Sequence, residues 1–367
     1  MVPNMALGLN LFRFYFMYAA AIWLRRTVYS GDTMIYALIL FLLLLLAALV
    51  LFLAGVLLAR RQFRGRFDGG GDYFPYFSRL HPGWQRRPVA FPGTGNTTLR
   101  GELYSQSGIT PKGLIVLFHG YGMSHGDYLP ECEYFTRRGY LVLAFDGSGV
   151  GDSDGTLRGL PQHVLDLQSC LRYIQSNPDL SGLPLLLYGH SWGGYAADCV
   201  GALEDFPIRG IVSASAFYTS LSALAPHVRR HYGPLAPIPL LGVRLVQRLR
   251  FGALNGITAA QGLARQHCPV LITQSDDDRI LPYERNYMAL YRRVRGDPRF
   301  TFLPLTGHDH NITTPHEVDV QKLRLLKVLR SPNPPQQAID EINRLKTVTD
   351  EELLRSFADF FDRCLDS

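Results

Sequence analysis

The stretch that decides the fold is residues 184–194, which read PLLLYGHSWGG. It opens with a short apolar run of the kind found in buried strands. Gly189 to Gly193 then match the pattern G-x-S-x-G, in which a sharp turn joins a strand to a helix and lifts the central serine above the sheet. Glycine is needed at both flanks because neighbouring backbone passes too close for a Cβ atom. The pattern predicts that Ser191 is a nucleophile at the amino end of a helix.

Short apolar runs alternate with helical patterns on both sides of this turn. After an opening hairpin at 89–104, strands are predicted at 114–118, 140–145, 184–188, 208–214, 269–273 and 299–305. Helices are predicted between them at 126–138, 161–176, 192–204, 257–266 and 283–295. Strands separated by helices need crossover connections, which give a doubly wound, mostly parallel α/β sheet. We therefore expect one α/β domain over residues 88–367.

The order of the chemical motifs resembles that of serine hydrolases with the α/β-hydrolase fold. The motifs are a His-Gly pair at 119–120, the turn at Ser191, an acidic loop and a late Gly-His pair. The resemblance covers roughly residues 88–330 and does not extend to the amino-terminal segments. It implies the order nucleophile, acid, base along the chain. It also implies ester hydrolysis through an acyl-enzyme on Ser191, with no cofactor and no metal.

The same resemblance points to two main-chain amides as the oxyanion hole. In the family the residue after the His-Gly pair donates one N–H group, and here that residue is Tyr121. The residue after the nucleophile, Trp192, donates the other. Both would stabilise the negative charge that develops on the substrate carbonyl oxygen. His119 is expected to be a buried histidine bonded to neighbouring backbone.

The acid is expected in the loop after the strand at 269–273. Residues 275–282 read SDDDRILP, and related sequences place the acid four residues before the proline. This spacing selects Asp278 and leaves Asp276 and Asp277 as alternatives. A metal site is not expected at these carboxylates, because the flanking sequence supplies no histidine or further acid as a ligand.

The base is expected after the last strand, where residues 306–310 read TGHDH. The Gly-His pair matches the family pattern, so His308 is the predicted base and His310 is the alternative. His308 would take the proton of Ser191 and pass it to the leaving group. Asp278 would fix the tautomer of the imidazole and stabilise the imidazolium.

An uncharged segment precedes the predicted domain. Residues 33–59 contain no charged side chain and are long enough to cross the ~30 Å hydrocarbon core of a bilayer as a helix. They predict an uncleaved transmembrane anchor, because a cleavable signal has a shorter apolar region. Residues 1–32 hold a second apolar stretch, broken by Arg13, which predicts either another membrane helix or an interfacial one.

The arginines beside the anchor predict its orientation. More of them follow the anchor, at Arg60, Arg61, Arg64 and Arg66, than precede it, at Arg13, Arg25 and Arg26. Because positively charged flanks stay on the cytoplasmic side, the carboxyl-terminal domain is expected in the cytoplasm. The five scattered cysteines form no C-x-x-C pair and favour the same reducing compartment.

Two more segments are expected to adjoin the membrane or the substrate. Residues 60–87 are rich in arginine, glycine and aromatics without a sustained period, which predicts a linker to the membrane surface. Residues 217–256 exceed what a simple connection needs and predict a helical cap. The cap carries leucines at 241, 245 and 249 and arginines on another face. This pattern is compatible with a helix that touches acyl chains or anionic lipid, and with a cap helix whose arginines are only solvated.

The composition of the chain limits the classes of partner and substrate that can be expected. The chain has 367 residues and a formal charge of +6, yet its basic residues form no block with interleaved aromatics, so nucleic acid is not an expected partner. The predicted substrate is a small-molecule or lipid acyl compound, either an ester or a thioester. Two alternatives stay open: an aminopeptidase or amidase that uses the same residues, and a non-catalytic scaffold built on the fold.

Overall fold

The computed structural model describes residues 31–69, 72–329, 331 and 333–366. The prediction of a membrane or interfacial helix within residues 1–32 lies outside the described residues, apart from the last two positions. The helices of the described part are α1 Gly31–Gln62, α2 Phe74–Leu80, α3 Leu129–Arg137, α4 Gln162–Ser176, α5 Trp192–Cys199, α6 Ser220–Tyr232, α7 Pro237–Phe251, α8 Ala259–Leu263, α9 Tyr287–Val294, α10 His316–Leu329, α11 Gln336–Lys346 and α12 Glu351–Asp366.

Within the described residues, one sheet contains eight strands: β1 Trp84–Pro92, β2 Thr98–Gln106, β3 Leu114–Phe118, β4 Leu141–Phe145, β5 Leu185–His190, β6 Ile208–Ala214, β7 Val270–Ser275 and β8 Phe300–Leu305. Their order across the sheet is β1-β2-β4-β3-β5-β6-β7-β8. The first two strands are antiparallel to their neighbours, and β3 to β8 run parallel. The predicted doubly wound, mostly parallel α/β sheet is confirmed.

Helices bury both faces of the sheet, as a parallel sheet requires. On one face, α4 and α5 contribute side chains such as Val164 and Tyr195 to the larger core. On the other, Phe135 of α3 meets Phe361 of α12 edge to face, with ring centroids 5.9 Å apart. The parallel connections bring the carboxyl ends of β3, β5, β7 and β8 to the same edge. Loops that carry the candidate site residues therefore meet at that edge.

The described residues of the segment 60–87, namely 60–69 and 72–87, are folded against the domain, which corrects the prediction of a linker. Phe63 and Phe77 are both 2% exposed. The Arg66 guanidinium donates hydrogen bonds to the main-chain carbonyls of Gly151, Ser153 and Gly155. The aromatic side chains lack a helical or strand period, but their apolar area still favours burial. Aromatic residues of this segment therefore pack as part of the core of the domain.

The segment 217–256 contains two helices, α6 and α7. Helix α6 begins with a capping box between Thr219 and Ser222, which satisfies amides of the first turn. Helix α7 begins at Pro237, whose missing N–H group costs nothing at the start of a helix. Helix α7 lies against the carboxyl-terminal part of α1. The cap therefore contacts the predicted anchor through α7.

Candidate active site

The turn at Ser191 has the strained geometry that the sequence pattern predicts. Strand β5 ends at His190 and α5 begins at Trp192, and Ser191 between them has φ 55° and ψ −107°. A Cβ atom on Gly189 would lie 2.4 Å from the Gly193 carbonyl oxygen, and one on Gly193 would lie 2.0 Å from the Phe118 carbonyl oxygen. Only glycine fits at these two positions. The packing therefore holds a non-glycine residue at positive φ, which costs on the order of 1–3 kcal/mol.

Three side chains form a hydrogen-bonded chain at this turn. His310 Nε2 lies 2.8 Å from Ser191 Oγ, and His310 Nδ1 lies 2.9 Å from Asp278 Oδ2. An ionised carboxylate only accepts, so Nδ1 carries the hydrogen and Nε2 accepts from the serine hydroxyl. This tautomer can remove the proton of Ser191 when the oxygen attacks an electrophile.

The structure does not bring His308, the predicted base, to Ser191. Its Nε2 lies 3.2 Å from Asp350 Oδ2, just before α12, and its Nδ1 lies 3.1 Å from the Thr306 carbonyl oxygen. The chain turns at Gly307, which has φ 77°, and directs His308 toward α12. Two residues later, the side chain of His310 reaches Ser191. The predicted position of the base is therefore wrong by two residues, and the alternative, His310, occupies it.

Asp278, the predicted acid, is buried behind His310. Its Oδ1 accepts hydrogen bonds from the amides of Ile280 and Leu281, both at 2.8 Å, and its Oδ2 accepts one from Gln274 Nε2 at 3.0 Å. Burial alone would raise the pKa of this carboxyl. The hydrogen bond from His310 and those from the two amides outweigh burial and hold the pKa of Asp278 below its usual value. The carboxylate is therefore ionised where it orients the imidazole.

The two alternative acids stabilise the neighbouring turn instead. Asp276 Oδ2 accepts a hydrogen bond from Thr306 Oγ1 at 3.3 Å, and Asp277 Oδ2 accepts one from the Gly307 amide at 2.9 Å. These bonds fix the path of the chain that leads to His310. Among the residues that the structure describes, no group of three or more histidine, cysteine, aspartate or glutamate side chains is arranged to bind a metal ion.

Of the two residues predicted for the oxyanion hole, Trp192 directly follows the nucleophile and Tyr121 lies in a loop close to it. Trp192 is the first residue of α5, so its amide has no acceptor within the helix. The loop that carries Tyr121 approaches closely, because a Cβ atom on Gly120 would lie 3.4 Å from Ser191 Cβ. The rings of Tyr121 and Trp192 are 5.3 Å apart. Donation of both amides to a substrate oxygen stays a prediction.

A buried network that the sequence did not reveal connects the oxyanion loop, the nucleophile turn and the base. The Gly120 amide donates to Tyr128 Oη at 2.9 Å. His190 lies 2.7 Å from the same Oη through Nδ1 and 3.0 Å from the His310 carbonyl oxygen through Nε2. Because a carbonyl only accepts, Nε2 carries the hydrogen and the tyrosine hydroxyl donates to Nδ1. Burial and the nearby His310 lower the pKa of His190 to about 3, so its ring is neutral.

His119 ties the same loop to the one after β4. Its Nδ1 lies 2.8 Å from the Gly120 carbonyl oxygen, and its Nε2 accepts a hydrogen bond from the Gly147 amide at 3.0 Å. Burial lowers the pKa of His119 and keeps the ring neutral. Its contacts are those expected of a buried histidine bonded to neighbouring backbone.

Parts of the chain are similar to known hydrolases. The model of a family described as serine aminopeptidase, S33, matches residues 109–248. A monoacylglycerol lipase of Mycolicibacterium smegmatis is 27% identical over 256 residues, which cover 61% of this chain and 90% of that protein. The human monoglyceride lipase is 33% identical over 107 residues, which cover 29% of this chain and 35% of that protein.

A solved structure shows the same fold over nearly its whole length. The Pyrococcus furiosus esterase Pf2001 superposes with a TM-score of 0.54 at 18% sequence identity. The match covers 82% of this chain and 99% of the esterase. At this level of identity the comparison establishes the arrangement of strands and helices.

Proposed function

Because the chain is a serine hydrolase of the α/β-hydrolase fold, similar to esterases and lipases, we propose that it cleaves small-molecule or lipid esters through an acyl-enzyme on Ser191. The observation that carries this proposal is the chain of two hydrogen bonds from Ser191 through His310 to Asp278. That arrangement supplies a nucleophile, a general base and an orienting carboxylate in one line.

In the first half of the proposed reaction, Ser191 Oγ attacks the ester carbonyl carbon while His310 Nε2 takes the hydroxyl proton. The carbonyl electrons move to the oxygen, which the Tyr121 and Trp192 amides stabilise. When the tetrahedral intermediate collapses, the C–O bond to the alcohol breaks. His310 gives its proton to the departing alkoxide, and the acyl group stays on Ser191.

In the second half, water replaces the alcohol. His310 takes a proton from the water as its oxygen attacks the acyl-enzyme carbonyl, and the same amides stabilise the new oxyanion. The bond to Ser191 Oγ breaks, His310 returns the proton to the serine, and a carboxylic acid leaves. Asp278 stabilises the imidazolium in both halves because its carboxylate is ionised and bonded to Nδ1.

A lipid ester is the proposed substrate class, and two observations support it. The Mycolicibacterium smegmatis relative that aligns over 90% of its length is a monoacylglycerol lipase. Helix α1 also contains an apolar run that ends at Ala59, with a mean hydropathy of 3.3 in its most apolar window, and its side chains from 34 to 47 are exposed. Such a helix is long enough to cross a bilayer. A monoacylglycerol is therefore the first substrate to test.

We propose that α1 anchors the protein with the hydrolase domain in the cytoplasm. Arg60 and Arg61 follow the apolar run directly, and all five cysteines are buried. An Ile109→Cys variant adds a thiol at an exposed position of the domain. In intact cells, an impermeant maleimide should label it only after permeabilisation. Equal labelling before permeabilisation would place the domain outside.

An amidase or aminopeptidase is the second candidate, because the matching family model is described as a serine aminopeptidase. The two reactions share the nucleophile and differ in the leaving group. Measuring hydrolysis of p-nitrophenyl esters of graded chain length, of a monoacylglycerol and of aminoacyl p-nitroanilides separates them. The proposal expects ester hydrolysis that Ser191→Ala reduces by about 10³-fold or more. Faster hydrolysis of the anilides, ester hydrolysis unaffected by Ser191→Ala, or no hydrolysis of any of these substrates would contradict it.

A further inference from the structure

Helix α1 and the cap helix α7 approach each other backbone to backbone through two glycines. A Cβ atom on Gly55 would lie 1.9 Å from the Pro239 carbonyl oxygen, and one on Gly242 would lie 2.3 Å from the Phe52 carbonyl oxygen. Small residues that permit such close contact are typical of helix pairs within membranes. Ala59, one turn after Gly55, is also buried. The two helices therefore pack as one unit.

The contact lies inside the apolar run of α1, before the arginines that follow it. Gly55 precedes Arg60 by five residues and Phe52 precedes it by eight. At a rise of 1.5 Å per residue, α7 crosses α1 about 8–12 Å before Arg60 along the helix axis. If Arg60 lies at the level of the lipid headgroups, the crossing lies below them. Interfacial helices bury their apolar face by a similar depth, about 5–10 Å.

The side of α7 next to α1 carries a row of exposed leucines. Leu241, Leu245 and Leu249 are 56%, 43% and 77% exposed. Leu249 follows Gly242 by seven residues, nearly two full helical turns, so it lies on almost the same side of α7 as the glycine that touches α1. Single exposed leucines are ordinary, whereas a row beside a membrane helix forms a continuous apolar surface. That surface extends the exposed apolar surface of α1.

Arginines border this leucine row on the side away from the core. Arg244 and Arg248 are exposed and lie one turn apart on α7. Together with Arg60 and Arg61 they give the surface an apolar stripe with basic edges, which is the pattern of helices that lie in an interface with anionic lipid. The Arg250 guanidinium donates to the Phe63 carbonyl oxygen at 3.3 Å and so fixes the far end of α7 to the segment after α1.

This unit also reaches the candidate active site. Gln62, the last residue of α1, donates a hydrogen bond from Nε2 to Tyr121 Oη at 2.6 Å. From the other side, Gln247 of α7 packs against Gly159. The main-chain carbonyl of Leu160, the residue after Gly159, accepts a hydrogen bond from the Trp192 indole N–H at 2.7 Å. Both loops predicted to form the oxyanion hole are therefore supported by elements that belong to the α1–α7 unit.

From these observations we infer that the cap helix α7 is a second membrane element. It is embedded through Leu241, Leu245 and Leu249 in the bilayer leaflet on the domain side, where α1 ends. The position of α7 rests on the anchor proposed above, and its consequence for substrate entry rests on the proposed lipid-ester activity. This position sets the mouth of the active site against the bilayer, so a lipid ester reaches Ser191 beside α1 and α7 without crossing bulk water.

Depth-dependent fluorescence quenching of the full chain in vesicles tests the position of α7. A thiol-reactive fluorophore is attached to Leu249→Cys on α7, to Leu44→Cys in α1 and to Ile109→Cys at the opposite edge of the sheet, all exposed positions in a protein whose own cysteines are buried. The vesicles contain phosphatidylcholine and phosphatidylglycerol, with or without brominated acyl chains. We expect brominated lipid to quench the labels at 44 and 249 and to spare the label at 109.

Each other result has a distinct meaning. Quenching at 44 without quenching at 249 would leave the anchor in place and overturn the inference for α7. No quenching at 44 would overturn the anchor and, with it, the inference. Neither reading depends on catalysis, so an absence of ester hydrolysis would overturn only the proposed function.

A kinetic experiment tests the consequence for substrate entry. The rate on monoacylglycerol held in the same vesicles is divided by the rate on a water-soluble p-nitrophenyl ester. The variant Leu245→Gln/Leu249→Gln should lower this ratio several-fold, whereas Ile109→Gln, an exposed aliphatic position far from the cap, should not. An unchanged ratio in the double variant would contradict entry through the bilayer surface.

Discussion

His310 Nε2 lies 2.8 Å from Ser191 Oγ, whereas His308, two residues earlier, faces Asp350 at 3.2 Å. The two histidines therefore differ in what they can do to the serine proton, although only Asp309 separates them in the chain. Their opposite directions follow from the turn at Gly307.

Alanine at each histidine should give very different enzymes. His310→Ala should lower kcat on a p-nitrophenyl ester by about 10³-fold or more, because no base remains beside Ser191. His308→Ala loses the contacts with Asp350 and with the Thr306 carbonyl, neither of which involves Ser191, and should keep kcat within about tenfold. The matched measurement is kcat for both variants, with thermal unfolding to confirm that each is folded. A larger loss in His308→Ala would reverse the assignment.

Tyr128→Phe should slow the reaction although Tyr128 does not touch Ser191. The change removes the acceptor of the Gly120 amide and the donor to His190 Nδ1, which leaves two buried polar groups unsatisfied. We expect a loss of stability of about 1–3 kcal/mol and a fall in kcat with little change in KM. Tyr140→Phe is the matched control, since it removes a hydroxyl bonded to Asp362 away from the site. An equal fall in kcat in both variants would show that the loss of a buried hydroxyl, and not the contact of Tyr128 with Gly120 and His190, slows the reaction.

The contact between α1 and the oxyanion loop should be visible in a double-mutant cycle. Gln62→Met and Tyr121→Phe each remove the same hydrogen bond, and each should lower kcat by roughly 2–12-fold, equivalent to the 0.5–1.5 kcal/mol of one such bond. The double variant should be no slower than the slower single variant, because both act on one interaction. Additive losses, measured with a soluble ester, would show that the two residues act independently.

Asp198 should make the stability of the protein fall between pH 4 and pH 7. Burial raises the pKa of this carboxyl to about 7, from an ordinary value of 3.8. Below pH 3.8 the group is protonated in both folded and unfolded chains and costs nothing. As the pH rises toward 7, only the unfolded chain ionises, so the native state loses up to about 4 kcal/mol of relative stability.

Asp198→Asn removes this titration. Compared with wild type, the variant should therefore gain free energy of unfolding as the pH rises from 4 to 7, as measured by urea denaturation at each pH. Asp179→Asn, at an exposed position, is the control and should follow the wild-type curve. If the free energies of unfolding of Asp198→Asn and wild type differ by the same amount at every pH in this range, the raised pKa of Asp198 is contradicted.

The sheet and the nucleophile turn could be predicted because their signals are local. Strand β3 is buried at all five positions and reads as one apolar run, and β6 begins and ends where the sequence predicts. Ser191 is recognisable because Gly189 and Gly193 have no alternative in so tight a turn. The spacing to Pro282 also selects Asp278 from its neighbours, and the structure places this carboxylate 2.9 Å from His310 Nδ1.

The remaining features depend on contacts that are distant in the chain. Thr-Gly-His-Asp-His offers two histidines, and only the turn at Gly307 decides which one reaches a serine more than 100 residues away. The bond between Tyr128 and His190 spans 62 residues and leaves no periodic pattern. The segment 60–87 likewise has no period, so the burial of Phe63 and Phe77 could not be anticipated.

The most direct test of the central claim is the site and rate of covalent labelling by a fluorophosphonate, measured by intact mass and peptide mapping. The wild-type protein should gain one probe adduct, located on Ser191. Labelling should vanish in Ser191→Ala, become far slower in His310→Ala and stay close to the wild-type rate in His308→Ala. An adduct on another serine, or equal labelling of wild type and Ser191→Ala, would contradict the assignment of Ser191 as the nucleophile and His310 as its base.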